Sequence, residues 1–180
     1  RFHEEMDRLP HYRPPAILFP HGTVGNSASG IAPDVSKGKF GPFEEQLFVA
    51  DQTHSVVNRC FLEKVNGYYQ GACFPFVKGF GSGNVPVAQA PDGSLFSGGT
   101  DRGWGARGGK RYALDRVIWT GQTPFEILEM RIQKDGFELE FTKPVDKASA
   151  ESLDSYEMKT HTYVFQGKYG SPRVDASSPT

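Results

Sequence analysis

The chain has 180 residues, 20 basic and 21 acidic side chains and a net charge of −1, so it lacks both the basic field that nucleic-acid binding needs and an acidic tail. Gly at 21, Pro at 13 and an aromatic share of 13% describe a turn-rich, aromatic-rich all-β protein. No apolar run approaches the ~18 residues of a membrane span, which excludes a helical anchor within this sequence.

Residues 1–29 form a lead-in rich in proline, histidine and charge. Its stretch 13–20 is at most one short edge strand, because proline cannot donate to a ladder. Strands are expected at about 29–33, 46–50, 54–65 and 68–76, with residues 38–43 as an inserted loop. Asn66-Gly67 is the strongest two-residue hairpin signal, and centring the turn there sets Cys60 directly opposite Cys73. Counting outward from the turn, that pair occupies a non-hydrogen-bonded site, where side chains approach most closely. Two readings stand side by side: a cross-strand disulfide, which favours an oxidising compartment, and two buried thiols packing as small hydrophobes.

A second set of strands is expected near 85–90, 94–98 and 111–119, split by the glycine-rich loop 98–109, with no fourth strand evident. Residues 121–124 read as a linker. Asp135-Gly136 centres another hairpin, pairing Ile132 with Leu139 and Met130 with Phe141, with Glu129, Arg131, Glu138 and Glu140 on a separate wet face. Residues 125–172, including a later strand near 156–165, read as an Ig-like β segment in which 147–153 makes a helical turn. Residues 173–180 read as a disordered tail.

The two sets of strands echo one another. Ala-Pro-Asp recurs from 32 to 90, an offset of 58; an arginine recurs from 59 to 116, an offset of 57; and Leu-Phe recurs from 47 to 95, an offset of 48, the shortfall reflecting the longer loop of one copy. Self-similarity at this spacing, built from short strands and tight turns, marks a repeat architecture whose units share a core, and it points to two β-propeller blades over residues 30–120. A closed propeller needs ~4–8 such blades, so this chain reads as an excised piece completed by blades in the same or another chain.

In such an arrangement the loops joining the second and third strands of each copy open at one mouth. They are 51–55 and 100–107. His54 beside Asp51 is a candidate base whose tautomer a carboxylate fixes, set against the more ordinary reading of a turn histidine capping a strand end. Arg102, Trp104 and Arg107 suit an anionic or planar ligand or a sugar ring, since guanidinium forks take carboxylates and indole gives a stacking face. The competing reading is a connection whose arginines bridge to neighbouring carboxylates. No second histidine or cysteine stands at ligand spacing, so no metal site is expected. Arg59 and Arg116, at matching points of the repeat, have a structural job, pairing with Asp34 and Asp92 or with strand carbonyls.

The segments Ser29-Gly-Ile-Ala-Pro-Asp34, Gln46-Leu-Phe-Val-Ala-Asp51, Asn66-Gly-Tyr-Tyr-Gln-Gly71, Ala90-Pro-Asp-Gly-Ser-Leu-Phe96 and Thr100-Asp-Arg-Gly-Trp-Gly105 resemble the closing blades of six-bladed propellers related to soluble aldose and sorbosone dehydrogenases. More specifically, the chain is similar to large secreted bacterial proteins that join such a propeller to an Ig-like segment and a c-type haem domain. The resemblance covers about residues 15–120, with 137–146 and 163–172 similar to the segment that follows. It implies a periplasmic or extracellular quinoprotein oxidising a carbohydrate or alcohol, with pyrroloquinoline quinone and calcium at the channel mouth and electrons passed to haem. By position, Arg102 and Arg107 would hold the cofactor carboxylates, whereas His54 has no counterpart in the family base. No Cys-x-x-Cys-His is present, so any haem belongs to another part of the parent protein. The alternative is a non-catalytic carbohydrate-binding or assembly module.

Overall fold

A computed structural model describes residues 13, 15–163, 168–170 and 172–177. The fold is all-β, with small antiparallel sheets, none of them closed, and it divides into two compact units: residues 16–143, and residues 1–15 with 144–180. Residues 125–143, which hold the β-hairpin expected at the start of the Ig-like segment, fall in the same compact unit as residues 30–120.

Within residues 16–143, the first sheet runs in sequence order, β1 (Ala28–Pro33), β2 (Leu47–Asp51), β3 (Val56–Val65) and β4 (Tyr68–Lys78). Asn66 at φ 49° and Gly67 at φ 86° supply the two left-handed residues that a tight hairpin needs, and they fix the β3–β4 register, with Val65 opposite Tyr68 and Cys60 opposite Cys73. The second sheet is three-stranded, β5 (Asn84–Gln89), β6 (Leu95–Thr100) and β7 (Tyr112–Val117). The repeat is visible in the ladders: Phe48 pairs with Arg59 as Phe96 pairs with Arg116. It is also visible in the turns, where Asp34 accepts from Ser36 N as Asp92 accepts from Ser94 N.

The core lies where the first sheet meets the second. Ala32, Phe48, Ala50 and Val57 of the first pack with Val87 and Leu95 of the second. The loop expected at 38–43 carries Phe40 and Phe43 into this core, where they meet Phe76 edge to face with ring centroids 6.2 and 5.0 Å apart. The approach of β1 to β5 is closer than side chains allow. A Cβ on Gly30 would lie 2.3 Å from the Val85 carbonyl oxygen, so only glycine fits there.

The hairpin of β8 (Ile127–Gln133) and β9 (Gly136–Phe141) is fastened to the first sheet by side chains. Arg59, with no exposed side-chain surface, donates to Ile127 O at 2.6 Å, to Leu128 O at 2.8 Å and to the Gln46 side chain, and it lies 3.6 Å from Glu126. Its guanidinium is sandwiched by the rings of Phe43 and Phe74, 4.7 and 4.6 Å from their centroids. At the other end of β8, Glu63 accepts from Ile132 N at 3.0 Å.

Two expectations for this hairpin are corrected. Ile132 pairs with Phe137 and Met130 with Leu139, so the turn residues are Lys134 and Asp135. An Asp-Gly centre needs left-handed dihedrals at both residues, and neither Asp135 nor Gly136 adopts them. The separate wet face is kept only in part: Glu138 and Glu140 are exposed as expected, but Glu129 and Arg131 are half-buried and paired with each other, and Arg131 stacks 4.9 Å from the Phe61 ring centroid, while Ile132 and Phe137 are exposed. Burial of the β8 half of the charged side pushes the Glu129 carboxyl above its ordinary value despite Arg131.

Residues 15–20 form no strand, and residues 1–12 of the lead-in lie outside the described residues. In the other unit, 147–153 does open with a helix, α1 (Lys147–Glu151), capped by Asp146, whose carboxylate accepts from Ser149 N at 2.9 Å and is thereby held below its usual range. A 3-10 turn, Leu153–Ser155, follows. The strand foreseen at 156–165 is β10 (Thr160–Tyr163), positions 164 and 165 being outside the described residues. It pairs with β11 (Arg173–Ser177), so the tail expected to be disordered is a strand over those residues, and 178–180 are not described.

Candidate functional site

The β2–β3 turn and the β6–β7 loop meet as the repeat requires. Their contact is made through backbone groups: Arg107 N donates to Thr53 O at 3.1 Å and Gly108 N to Ser55 Oγ at 2.8 Å. Gln52 reaches across from the first turn, donating to Thr100 O and Asp101 O at 3.3 and 3.2 Å. Gly108 is wedged so tightly that a Cβ would lie 2.5 Å from Phe80 O and from Ser82 N. The two loops thus form one continuous surface.

On that surface the first pair of candidates is not assembled as a catalytic dyad. Asp51 is buried at the end of β2, and its carboxylate is used by backbone donors: Oδ2 accepts from Asn26 N and Ser27 N at 2.7 Å each, and Oδ1 accepts from His54 N at 2.8 Å. It holds the turn together. The His54 imidazole is buried beside it and makes no hydrogen bond to Asp51 or to another described side chain. His54 lies in the β2–β3 turn, where its backbone N–H and not its ring bonds Asp51.

The second set stands differently. Arg102, Trp104 and Arg107 are all exposed, Trp104 at 74%, and neither guanidinium is bonded to a described residue, so the bridging contacts that would make them a mere connection are not formed. The loop is nonetheless ordered: Trp104 N donates to Asp101 O at 2.7 Å, Gly103 N to the Asp101 carboxylate at 3.1 Å, and Arg102 and Gly103 turn the chain at φ 51° and 75°. The arrangement presents two cations and one indole face to solvent from a fixed backbone.

A polar layer beneath the loops was missed by sequence reasoning. Ser29 Oγ donates to Asn84 O at 2.8 Å, and Thr53, Ser27 and Gln52 are hydrogen-bonded in a chain. Ser82 Oγ and both amide atoms of Asn84 are buried without a partner among the described residues. The signal available was the run Gly81-Ser82-Gly83-Asn84, small and polar where a strand begins.

The repeat-matched arginines do the structural work expected of them, by different partners. Arg116 pairs with Asp92 at 2.6 Å and donates to Ser94 Oγ at 3.0 Å, whereas Arg59 takes strand carbonyls, and Asp34 instead accepts from Gln89 at 2.6 Å. Cys60 and Cys73 face each other as free thiols. Burial, then the neighbouring Cys73, pushes the Cys60 thiol up to about 12, against the pull of Arg59. Among the described residues no three His, Cys, Asp or Glu side chains cluster as metal ligands, and no helix is long and apolar enough to cross a membrane. Comparison with family models, curated proteins and solved structures finds no match to this chain.

Proposed function

We propose that this chain is part of a quinoprotein sugar or alcohol dehydrogenase-like β-propeller of a periplasmic or extracellular protein, followed by an Ig-like segment, and that its share of the work is ligand binding and not proton abstraction. The observation that carries the reading is the pair of guanidiniums, Arg102 and Arg107, each bonded to no described residue and flanking the exposed indole of Trp104 on a loop clamped to its repeat neighbour. A planar polycarboxylate fits that donor set, the forks taking carboxylates and the indole covering one face of a ring. Calcium does not fit the described residues, which offer no cluster of carboxylates, so any calcium would take its ligands from outside them. When bound, the quinone would supply two-electron oxidation of an alcohol carbon; haem, in another domain, would accept the electrons.

Asp51 favours a second reading in which the same surface binds carbohydrate without turnover. Its carboxylate accepts from three backbone donors and makes no hydrogen bond to the His54 imidazole. Both readings are separated by titrating the emission of Trp104, with Trp104→Phe as the control for Trp119. Saturable quenching by pyrroloquinoline quinone, weakened at least about tenfold in Arg102→Ala, supports the quinoprotein reading. Quenching by sugars alone, unchanged in Arg102→Ala, supports the carbohydrate module. No response to either ligand refutes the loop as a binding surface.

A further inference from the structure

The second sheet stops one strand short of the first. β7 occupies the place of β3, with Arg116 opposite Phe96 as Arg59 is opposite Phe48, but no described residue pairs with it where β4 pairs with β3. After Val117 the chain leaves for β8, which lies against β3 and β4.

The ladder tells which backbone groups this leaves open. Asp101 N donates to Arg111 O, so residues 101 and 111 are a hydrogen-bonded pair, and alternation makes Gly99/Ala113, Ser97/Asp115 and Leu95/Val117 the others. Tyr112, Leu114 and Arg116 therefore turn their N–H and C=O groups to the free edge. In the first sheet, alternation from the Val65/Tyr68 pair makes Arg59/Phe74 a hydrogen-bonded pair. The open groups of Arg116 stand where those of Arg59 are satisfied.

Side chains repeat the vacancy. Phe74 stacks on Arg59, whose side chain has no exposure, while Arg116 is 50% exposed with only Phe96 of its own sheet beneath it, 5.6 Å from the ring centroid. Leu114 is 75% exposed and Tyr112 67%. The β7 edge carries no proline, and its pairing with β6 is unbroken by a bulge, two devices by which edges are normally blunted.

We infer that β7 is a strand-acceptor edge. It takes an antiparallel extended segment of another polypeptide that sets an aromatic side chain opposite Arg116 and a second apolar side chain opposite Leu114, as β4 sets Phe74 opposite Arg59 and Val77 opposite Val57. The inference is independent of what the loops bind.

The test titrates the isotope-labelled full chain with a peptide of the β4 sequence, Tyr68–Lys78, carrying Cys73→Ser. Saturable shifts at the amides of Tyr112, Leu114 and Arg116, with hydrogen exchange there slowed roughly tenfold or more, are expected. Leu114→Pro removes one outward N–H and should abolish them while the β1–β4 amides keep their positions. Should that variant fail to fold, Arg116→Ala decides, since it keeps the backbone and should weaken the peptide about tenfold. No saturable change at millimolar peptide overturns the inference. So does equal binding by either variant, or peptide-free protection of β7 that grows with protein concentration, which would make a second copy the occupant.

Discussion

Replacing Arg59 by methionine tests the central claim that one buried guanidinium fastens the β8–β9 hairpin to the first sheet. The substitution keeps the apolar stem between Phe43 and Phe74 but deletes the donors to Ile127 O, Leu128 O and Gln46. Hydrogen bonds from a charged donor contribute ~1.5–3 kcal/mol each, non-additively, and leaving a buried carbonyl partner unsatisfied costs ~1–3 kcal/mol. Against this, desolvation holds the Arg59 pKa below its ordinary value, so removing the charge returns part of that cost. A net loss of about 2–4 kcal/mol follows, which at a urea m-value near ~2 kcal/mol/M lowers the denaturation midpoint by about 1–2 M. Arg59→Lys should fall between, because one ammonium cannot reproduce the fork that reaches two carbonyls and an amide. The matched control is Arg116→Met, the same change at the same point of the repeat. There the side chain is 50% exposed and pairs with an exposed Asp92, and the midpoint should move by no more than about a quarter as much. Equal shifts at the two arginines, or a shift below about 0.5 M for Arg59→Met, would refute the fastening role.

Gly30→Ala should be among the most damaging single-methyl changes in the chain, since its Cβ would meet backbone of β5 at 2.3 Å; overpacking of this kind costs ~1–3 kcal/mol or more, and a melting temperature within a degree of wild type would refute it. Asp51→Ala should loosen the mouth turn by about 2–4 kcal/mol through loss of three charge-assisted bonds, read as faster exchange at Asn26, Ser27 and His54 amides, while Asp51→Asn should leave Trp104 quenching intact; a complete loss of binding in the asparagine variant would restore a direct role for the carboxylate. Cys60, with its pKa pushed up to about 12 from an ordinary 9.0, favours the neutral thiol in the fold, so its contribution is full below pH 9 and is lost as pH rises toward 12. At pH 8 it should resist alkylation until the chain is unfolded, and rapid native labelling would contradict the burial. Diamide should link Cys60 to Cys73 within one chain, given their facing register, and retention of both free thiols would exclude the bridge.

What sequence could reveal was local. Asn66-Gly67 carried its own dihedral requirement, and from it the whole β3–β4 ladder, Cys60 against Cys73 included, could be counted. Asp135-Gly136 looked equivalent, yet the turn closed one residue earlier, because a hairpin held by tertiary contacts to Glu63 and Phe61 need not take the turn its sequence prefers. The meeting of the β2–β3 turn with the β6–β7 loop was expected from the propeller reading of the repeat, and the structural role of Arg59 and Arg116 from their matching positions in it. Their partners did not, since Arg59 finds its carbonyls some 68 and 69 residues away along the chain. Asp51 and His54, adjacent enough to suggest a dyad, were separated in role by backbone N–H groups, which every residue carries and no composition advertises.

The joint between the first sheet and β8 has a consequence for how this protein can change. At residues 127, 128 and 132, Arg59, Gln46 and Glu63 address main-chain carbonyls and an amide, groups that any non-proline residue supplies. For those bonds the burden of recognition falls on the first sheet, while Leu128 packs on the core and Arg131 stacks on Phe61 through their own side chains. Variation at 127 and 132 leaves the bonds available, whereas a substitution at any of the three grasping side chains removes a hold that no change at 127 or 132 can restore. A library randomised at 127 and 132 should yield many folded members, and one randomised at 46, 59 and 63 few.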